Sequence, residues 1–403
     1  MSLSPVVTGL GIIAPNGFGV EEFWEATCAG RGSIKRITKF DPSPYPSSLA
    51  GEVTSFNGSD HLPKRLIPQT DRSTQMALVA TDMAIEDAEI SLSDVPPFEM
   101  SVVTAASSGG FEFGERELKN LWSKGSNHVS AYQSFAWFYA VNSGQISIRH
   151  GIMGPNSVIV SDQAGGLDAL AMAARQIDKG IKLVVTGGMD GSICPWGWVA
   201  LTTNEDLSKS HSEDEAFVPF DENATGYVPG EGGAILILED SDQAALRGAR
   251  VYGAISGYGA SFDKKALHPS GDALRYAMAS ALAEADLAPE SIGVVFADGS
   301  GTLNGDQAEA QAINDVFGIG KVPVTVPKTM TGRLNSGAGS LDIACALLSI
   351  RDSLIPPTIN VWHKNSYGLD LVTRQSRHKT IKHAMVISRG SFGFNSVTIV
   401  SAP

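Results

Sequence analysis

Residues 156–170 (NSVIVSDQAGGLDAL) constrain this chain more than any other stretch. The apolar run Val158 to Val160 reads as a strand buried on both faces. A helical pattern (Leu167, Leu170, Met172, Ala173, Ile177) follows at once and stops at Gly180. A strand that turns sharply into a buried helix holds the corner residue at the positive end of the helix dipole. Such a corner suits a nucleophile, because the dipole favours an anion and the turn exposes the side chain. The corner residue here is Gln163, whose neutral amide is neither nucleophile nor base near neutral pH. Ser161 and Asp162 precede the corner and are expected to point into the sheet packing. The platform lacks its nucleophile.

The remaining segments repeat one plan. In the first part, a Gly-rich opening strand (5–17) is followed by a helix over 74–88 with Met76, Val79, Ala80, Met83 and Ile85 on or near one face. A short buried strand at 101–105 precedes the Gln163 corner. In the second part, 251–259 resembles the opening strand and 294–298 answers the strand at 101–105. Residues 322–328, with a small-residue helix over 337–349, answer the corner and its helix. Each part closes with two apolar strands, 183–188 with 234–239 and then 384–390 with 396–400. This order reads as a duplicated α/β unit, residues 1–245 and 246–403, with a helix of each copy held between two sheets.

Charge and cysteine usage narrow the function. A formal net charge of −13 argues against nucleic acid or an anionic membrane as partner. No apolar run is long enough to span a bilayer, and the N-terminus carries no basic region followed by an apolar stretch, so a cytoplasmic protein is expected. The cysteines Cys28, Cys194 and Cys345 are isolated from one another, and the eight histidines show no ligand spacing. Neither a disulfide framework nor a metal site is expected.

Four further stretches carry a resemblance to a known family. Residues 219–233 (PFDENATGYVPGEGG) resemble the PFD…G…GEGAG signature of β-ketoacyl synthases. Residues 298–306 (DGSGTLNGD) resemble their HGTGT…GD motif with Asp298 in place of the histidine. Residues 328–333 (KTMTGR) resemble the K-S-x-x-G-H motif, with Lys328 retained and Arg333 at the histidine position. Residues 391–395 (SFGFN) resemble the C-terminal Gly/Phe loop, and the corner resembles the nucleophile elbow with Gln163 where cysteine would stand. Gln163 together with Asp298, Arg333 and residues 135–141 (FAWFYAV) resembles the chain length factors of type II aromatic polyketide synthases. The resemblance runs from about residue 5 to residue 400. It implies the thiolase fold, two similar halves in an α-β-α-β-α arrangement. It also implies a silent subunit paired with a ketosynthase. Acyl carrier protein would bring phosphopantetheine-linked units, and no cofactor would be bound by the chain itself.

The substitutions explain why such a subunit would be silent. Claisen condensation needs a thiolate to hold the acyl chain and two imidazoles to stabilise the enolate formed on decarboxylation. Gln163 removes the first. A carboxylate at Asp298 repels a developing enolate, and the Arg333 guanidinium cannot cycle a proton near neutral pH. Lys328 has no evident task without its neighbours. Asp298 is expected to pair with Arg333 or with Lys328, sealing the pocket. Gln163 then either fills space in a dead site or serves a contact toward the partner. Two rival readings are a malonyl decarboxylase or priming subunit using Gln163, although the Gln-bearing domains that decarboxylate keep both histidines, and an acyl-binding homodimer.

Phe111, Gly114 and Leu118 fall at i, i+3 and i+7, one helical stripe. The resemblance places them, with Trp196, at the end of a tunnel for the growing polyketide chain. Bulky Phe111 and Trp196 beside side-chainless Gly114 and mid-sized Leu118 imply a moderately deep tunnel, for about eight to ten ketide units by analogy. Without the resemblance, the same residues are ordinary core contacts. Phe135, Trp137 and Phe138 are candidates for the partner interface, with core packing as the alternative.

Overall fold

The computed structural model describes residues 5–264, 271–363 and 367–403; the first four residues, at the start of the N-terminal stretch, lie outside the described residues. The first half builds a sheet from β1 (Val6–Ala14), β2 (Met100–Ala105), β3 (Asn156–Ile159), β4 (Leu183–Asp190) and β5 (Gly232–Glu239). Its helices are α1 (Arg72–Asp87), α2 (Phe111–Lys124), α3 (Val141–His150), α4 (Gly165–Asp178) and α5 (Pro195–Thr202). The second half supplies β6 (Gly253–Phe262), β7 (Val294–Phe296), β8 (Pro323–Thr325), β9 (His383–Arg389) and β10 (Phe394–Ser401). Its helices are α6 (Asp272–Glu284), α7 (Leu303–Phe317) and α8 (Ser336–Asp352).

The duplication is visible in strand order. The first half runs β1-β5-β4-β2-β3, and the second runs β6-β10-β9-β7-β8 in the same pattern of antiparallel then parallel neighbours. The two sheets meet edge to edge where Val6 and Val7 pair with Ala254 and Gly253. Helices α4 and α8 lie between them: α8 packs on β4 and β5 on one side and β9 and β10 on the other. α1 and α3 cover the outer face of the first sheet, while α6, with α7 packed on it, covers the second. These are five layers, α-β-α-β-α, the thiolase arrangement.

Composition explains the middle layer. α8 is buried from Ser336 to Ile350, so over that span it shows no polar stripe and, Asp342 apart, consists of small and aliphatic residues. A Cβ at Gly166 would lie 2.6 Å from the Ser336 carbonyl oxygen, so α4 and α8 approach this closely only because the position is glycine. Asp190, at the end of β4, ties the layers together. Its carboxylate accepts from the backbone N–H groups of Ser107 (2.9 Å), Ser108 (3.3 Å) and Ser336 (3.0 Å). Burial raises its pKa, and the Ser336 hydroxyl and those amides oppose the rise.

One expectation fails here. β3 is not buried on both faces: Asn156 is exposed, residues 157–159 are half-buried and Val160 is 51% exposed. Among the described residues β3 pairs with β2 alone and forms the outer edge of its sheet. An apolar run at a sheet edge is indistinguishable in sequence from one at its centre. Here it marks an unpaired edge.

Candidate functional site

At the corner, the strained backbone belongs to Asp162, with φ +52°, and not to Gln163. Asp162 turns away from the sheet packing, and its carboxylate accepts the N–H of Ser391 (2.8 Å) in the 391–395 loop. Ser161 is buried and donates to Asp168. Gln163 sits in the single 3₁₀ turn Asp162–Ala164 that leads into α4 and is 2% exposed. Its backbone carbonyl accepts from the Ser388 hydroxyl (2.8 Å), and its Nε2 donates to Asn335 Oδ1 across 3.3 Å. Its Oε1 has no partner among the described residues. A buried orphan acceptor costs about 1–3 kcal/mol, so the amide is tolerated here more than it is held.

Asp298 and Arg333 come together. Arg333 Nη2 donates to both carboxylate oxygens of Asp298 (2.9 and 2.7 Å) and to the Arg389 carbonyl (2.8 Å). The backbone N–H of Arg389 donates to the same carboxylate (3.0 Å). Asp298 is 1% exposed and Arg333 4%. The guanidinium carbon lies 5.1 Å from the Tyr227 ring centroid, a cation–π contact. Burial works against the Arg333 charge, but Asp298, Tyr227 and Asp162 together outweigh it and the net shift is upward. No proton exchanges at this guanidinium near neutral pH.

Lys328 pairs with neither Asp298 nor Arg333. It donates to Asp342 on α8 and to the Ala297 carbonyl (3.0 Å). Burial pushes the Asp342 carboxyl up to about 6, with Lys328 pulling it down. Glu309 on α7 accepts the backbone N–H groups of Asp298 (2.7 Å) and Gly299 (2.9 Å). Burial and the Asp298 charge both raise its pKa. Sequence reading missed Asp342 and Glu309. The signal for Asp342 was a lone carboxylate in the small-residue helix; Glu309 gave none apart from its place three residues after Asp306.

The ion pair does not seal the site. A cavity of about 350 Å³ remains against it, lined among others by Asp298, Ser300, Thr302, Arg333, Arg389 and Asn395. Of the groups facing it, Asp298 and Arg333 are bound to each other, and the Arg389 guanidinium donates to Asn395 and to the Gly305 carbonyl. Among the described residues, no cluster of three or more His, Cys, Asp or Glu could hold a metal ion, and no helix is long and apolar enough to cross a membrane.

The second set of residues lies around α2. Asp71, buried at the start of α1, accepts the N–H of Ser73 (2.9 Å) in its own helix and of Phe113 (2.8 Å) in α2, so one carboxylate fixes both helix starts. Phe111 then meets Trp196 of α5 with ring centroids 4.8 Å apart. A Cβ at Gly114 would lie 2.8 Å from Trp196 Cζ3 and 3.7 Å from Trp137 Cβ. The space left by the absent side chain is therefore covered by the Trp196 indole. Leu118, one turn on, is half-buried. The Trp137 carbonyl accepts the Gly110 N–H (2.9 Å), tying the aromatic segment to the start of α2. Trp137, Phe138, Tyr139 and Trp196 are 46%, 41%, 43% and 39% exposed, while Phe135 is half-buried with its ring 5.7 Å from Tyr132. Trp137, expected from sequence at the interface alone, stands beside Gly114.

Comparison with known proteins places this arrangement. Residues 4–244 match the model of the β-ketoacyl synthase N-terminal domain, and residues 252–362 match that of its C-terminal domain. The chain is 52% identical over 400 residues to the tetracenomycin polyketide synthase ketoacyl synthase beta subunit of Streptomyces glaucescens, covering 98% of this chain and 97% of the relative. Among solved structures, the ishigamide ketosynthase/chain length factor matches with a TM-score of 0.91 at 26% identity, covering 100% of both chains. A type II polyketide synthase acyl-carrier protein in complex with its ketosynthase bound to the hexaketide matches with a TM-score of 0.90 at 26% identity, again over 100% of both chains. A condensing-enzyme scaffold with an amide at its elbow and a locked ion pair behind it thus has close kin: the chain belongs to the β-ketoacyl synthase family, among the ketosynthase beta subunits, or chain length factors, of type II polyketide synthases.

Proposed function

We propose that this chain is the non-catalytic half of a condensing heterodimer, completing a ketosynthase and setting the length of the poly-β-ketone that the partner assembles. The observation that carries the reading is the buried Arg333–Asp298 pair, with Lys328 held by Asp342. These groups occupy the centre where an enolate would need neutral donors, and each is tied there to an opposite charge instead. Gln163 offers no nucleophile, and no contact of its amide favours decarboxylation.

The partner face is the unpaired edge of β3 with Val160, together with Phe135, Trp137 and Phe138. Half-exposed aromatics beside an open sheet edge are a liability unless covered. The growing chain leaves the partner's cysteine and ends against Phe111, Gly114, Leu118 and Trp196. Residues 1–245 supply both features, while 246–403 carry Asp298, Lys328 and Arg333. Acyl carrier protein delivers malonyl units on its phosphopantetheine arm. A subunit with net charge −13 gives an acidic carrier no electrostatic reason to dock here, so docking falls mainly on the partner. A cytoplasmic setting suits three separated free thiols.

Expression of the chain alone and with a ketosynthase separates the alternatives, with malonyl-carrier decarboxylation and chain elongation assayed in each. The expected result is an inactive or poorly soluble chain alone and elongation with the partner. Decarboxylation by the isolated chain would support the priming-enzyme reading instead.

A further inference from the structure

α5 begins in an unusual way. Cys194 precedes it, Pro195 is its first residue, and Trp196 its second. The first N–H groups of a helix have no partner within it and are ordinarily satisfied by the cap residue. Cys194 Sγ accepts the Gly197 N–H (3.4 Å), and its thiol is itself hydrogen-bonded to Glu115. The Trp196 N–H is satisfied from a different helix: Glu115 of α2, 9% exposed, accepts it at 3.1 Å. Glu115 is the residue next to Gly114, whose missing side chain leaves the space that the Trp196 ring covers. Lys119, one turn further along α2, forms an ion pair with Glu115 and restrains its carboxylate. The bond also places a negative charge at the positive end of α5.

We propose that Glu115 is a positioning residue for chain length: by holding the Trp196 amide it fixes the indole over Gly114, and with it the end of the tunnel. This rests on the tunnel reading above. Phe111 meets the same indole at a tilt of 56° with centroids 4.8 Å apart, a contact with no directional bond to fix the ring. The backbone bond from Glu115 fixes the origin of the side chain. Residues 111, 114 and 118 thus supply the wall, and Glu115 determines where its movable part stands.

The test uses the heterodimer with its ketosynthase and reads the distribution of product lengths for Glu115→Leu, Glu115→Gln, Lys119→Ala and Trp196→Ala. A hydrogen bond to a charged group shifts a conformer ratio by about tenfold or more, so Glu115→Leu should raise the ratio of longer to native-length product by about that factor. Glu115→Gln keeps an acceptor oxygen and should restore the native distribution, as should Lys119→Ala, which leaves the amide bond in place. If the leucine variant does not assemble with its partner, Glu115→Ala carries the same expectation. Lengthening by Trp196→Ala with native lengths from both Glu115→Leu and Glu115→Ala overturns the role of Glu115 alone. Native lengths from Trp196→Ala overturn the tunnel reading and this inference together.

Discussion

Replacing Arg333 with leucine should destabilise the protein by about 3–5 kcal/mol, the usual cost of removing one partner of a buried ion pair. Asp298 would then stay buried without its counter-charge, with Glu309 at its backbone and the Arg389 N–H still on its carboxylate. The pair itself can contribute little net stability, since desolvating both charges offsets most of their attraction. The single variant measures the cost of an orphaned charge. Adding Asp298→Asn to Arg333→Leu removes that charge and keeps an acceptor for the Arg389 N–H, so the double variant should recover most of the loss. Chemical denaturation of the heterodimer checks both. A single variant within about 1 kcal/mol of the parent would mean that the pair does not lock the site.

The second large effect concerns product length. Trp196→Ala removes the indole that covers Gly114 and should lengthen the dominant polyketide by about one to two ketide units. The indole is 39% exposed in the isolated chain, so the loss of folding stability should be modest beside the change in product. Gly114→Phe should act in the opposite direction. Its Cβ alone would sit 2.8 Å from Trp196 Cζ3, so the indole must swing away and the new ring takes its place at the proposed tunnel end. Mass spectrometry of products from the reconstituted synthase reads both shifts. Unchanged lengths from both variants, with the heterodimer intact, would remove the tunnel end from this face.

Much of the fold and of the site is legible in the amino-acid sequence. Element order alone exposes the duplication, because each half must bury one small-residue helix against two sheets and repeats the same strand succession to do so. Gln163 stands out because a strand-to-helix corner is a recognisable place for a nucleophile, and an amide there is conspicuous. Asp298 and Arg333 are legible as substitutions within motifs, and opposite charges at converging positions imply a pair. Three features are not legible. A run such as Val158 to Val160 carries no mark of whether a neighbouring strand lies on its far side, so the open edge of β3 reads as sheet centre. Lys328 could have met Asp298, but only the packing of α8 reveals that Asp342 reaches it first. The resemblance puts Trp196 near Gly114 but does not show that its indole covers the gap at that glycine. That contact depends on how the start of α5 is tied to α2, which no periodicity records.

The central claim is that all bond-forming chemistry resides in the partner and that the Gln163 corner is a retained scaffold. The rate of poly-β-ketone formation by a heterodimer carrying Gln163→Ala tests it most directly. Among the described residues, Gln163 makes one long side-chain hydrogen bond and its Oε1 has no partner, so alanine should come at little structural cost. The expected result is a rate within about twofold of the parent and an unchanged product length. A loss of about a hundredfold with the heterodimer still assembled would show that the amide takes part in the chemistry, and would contradict the account.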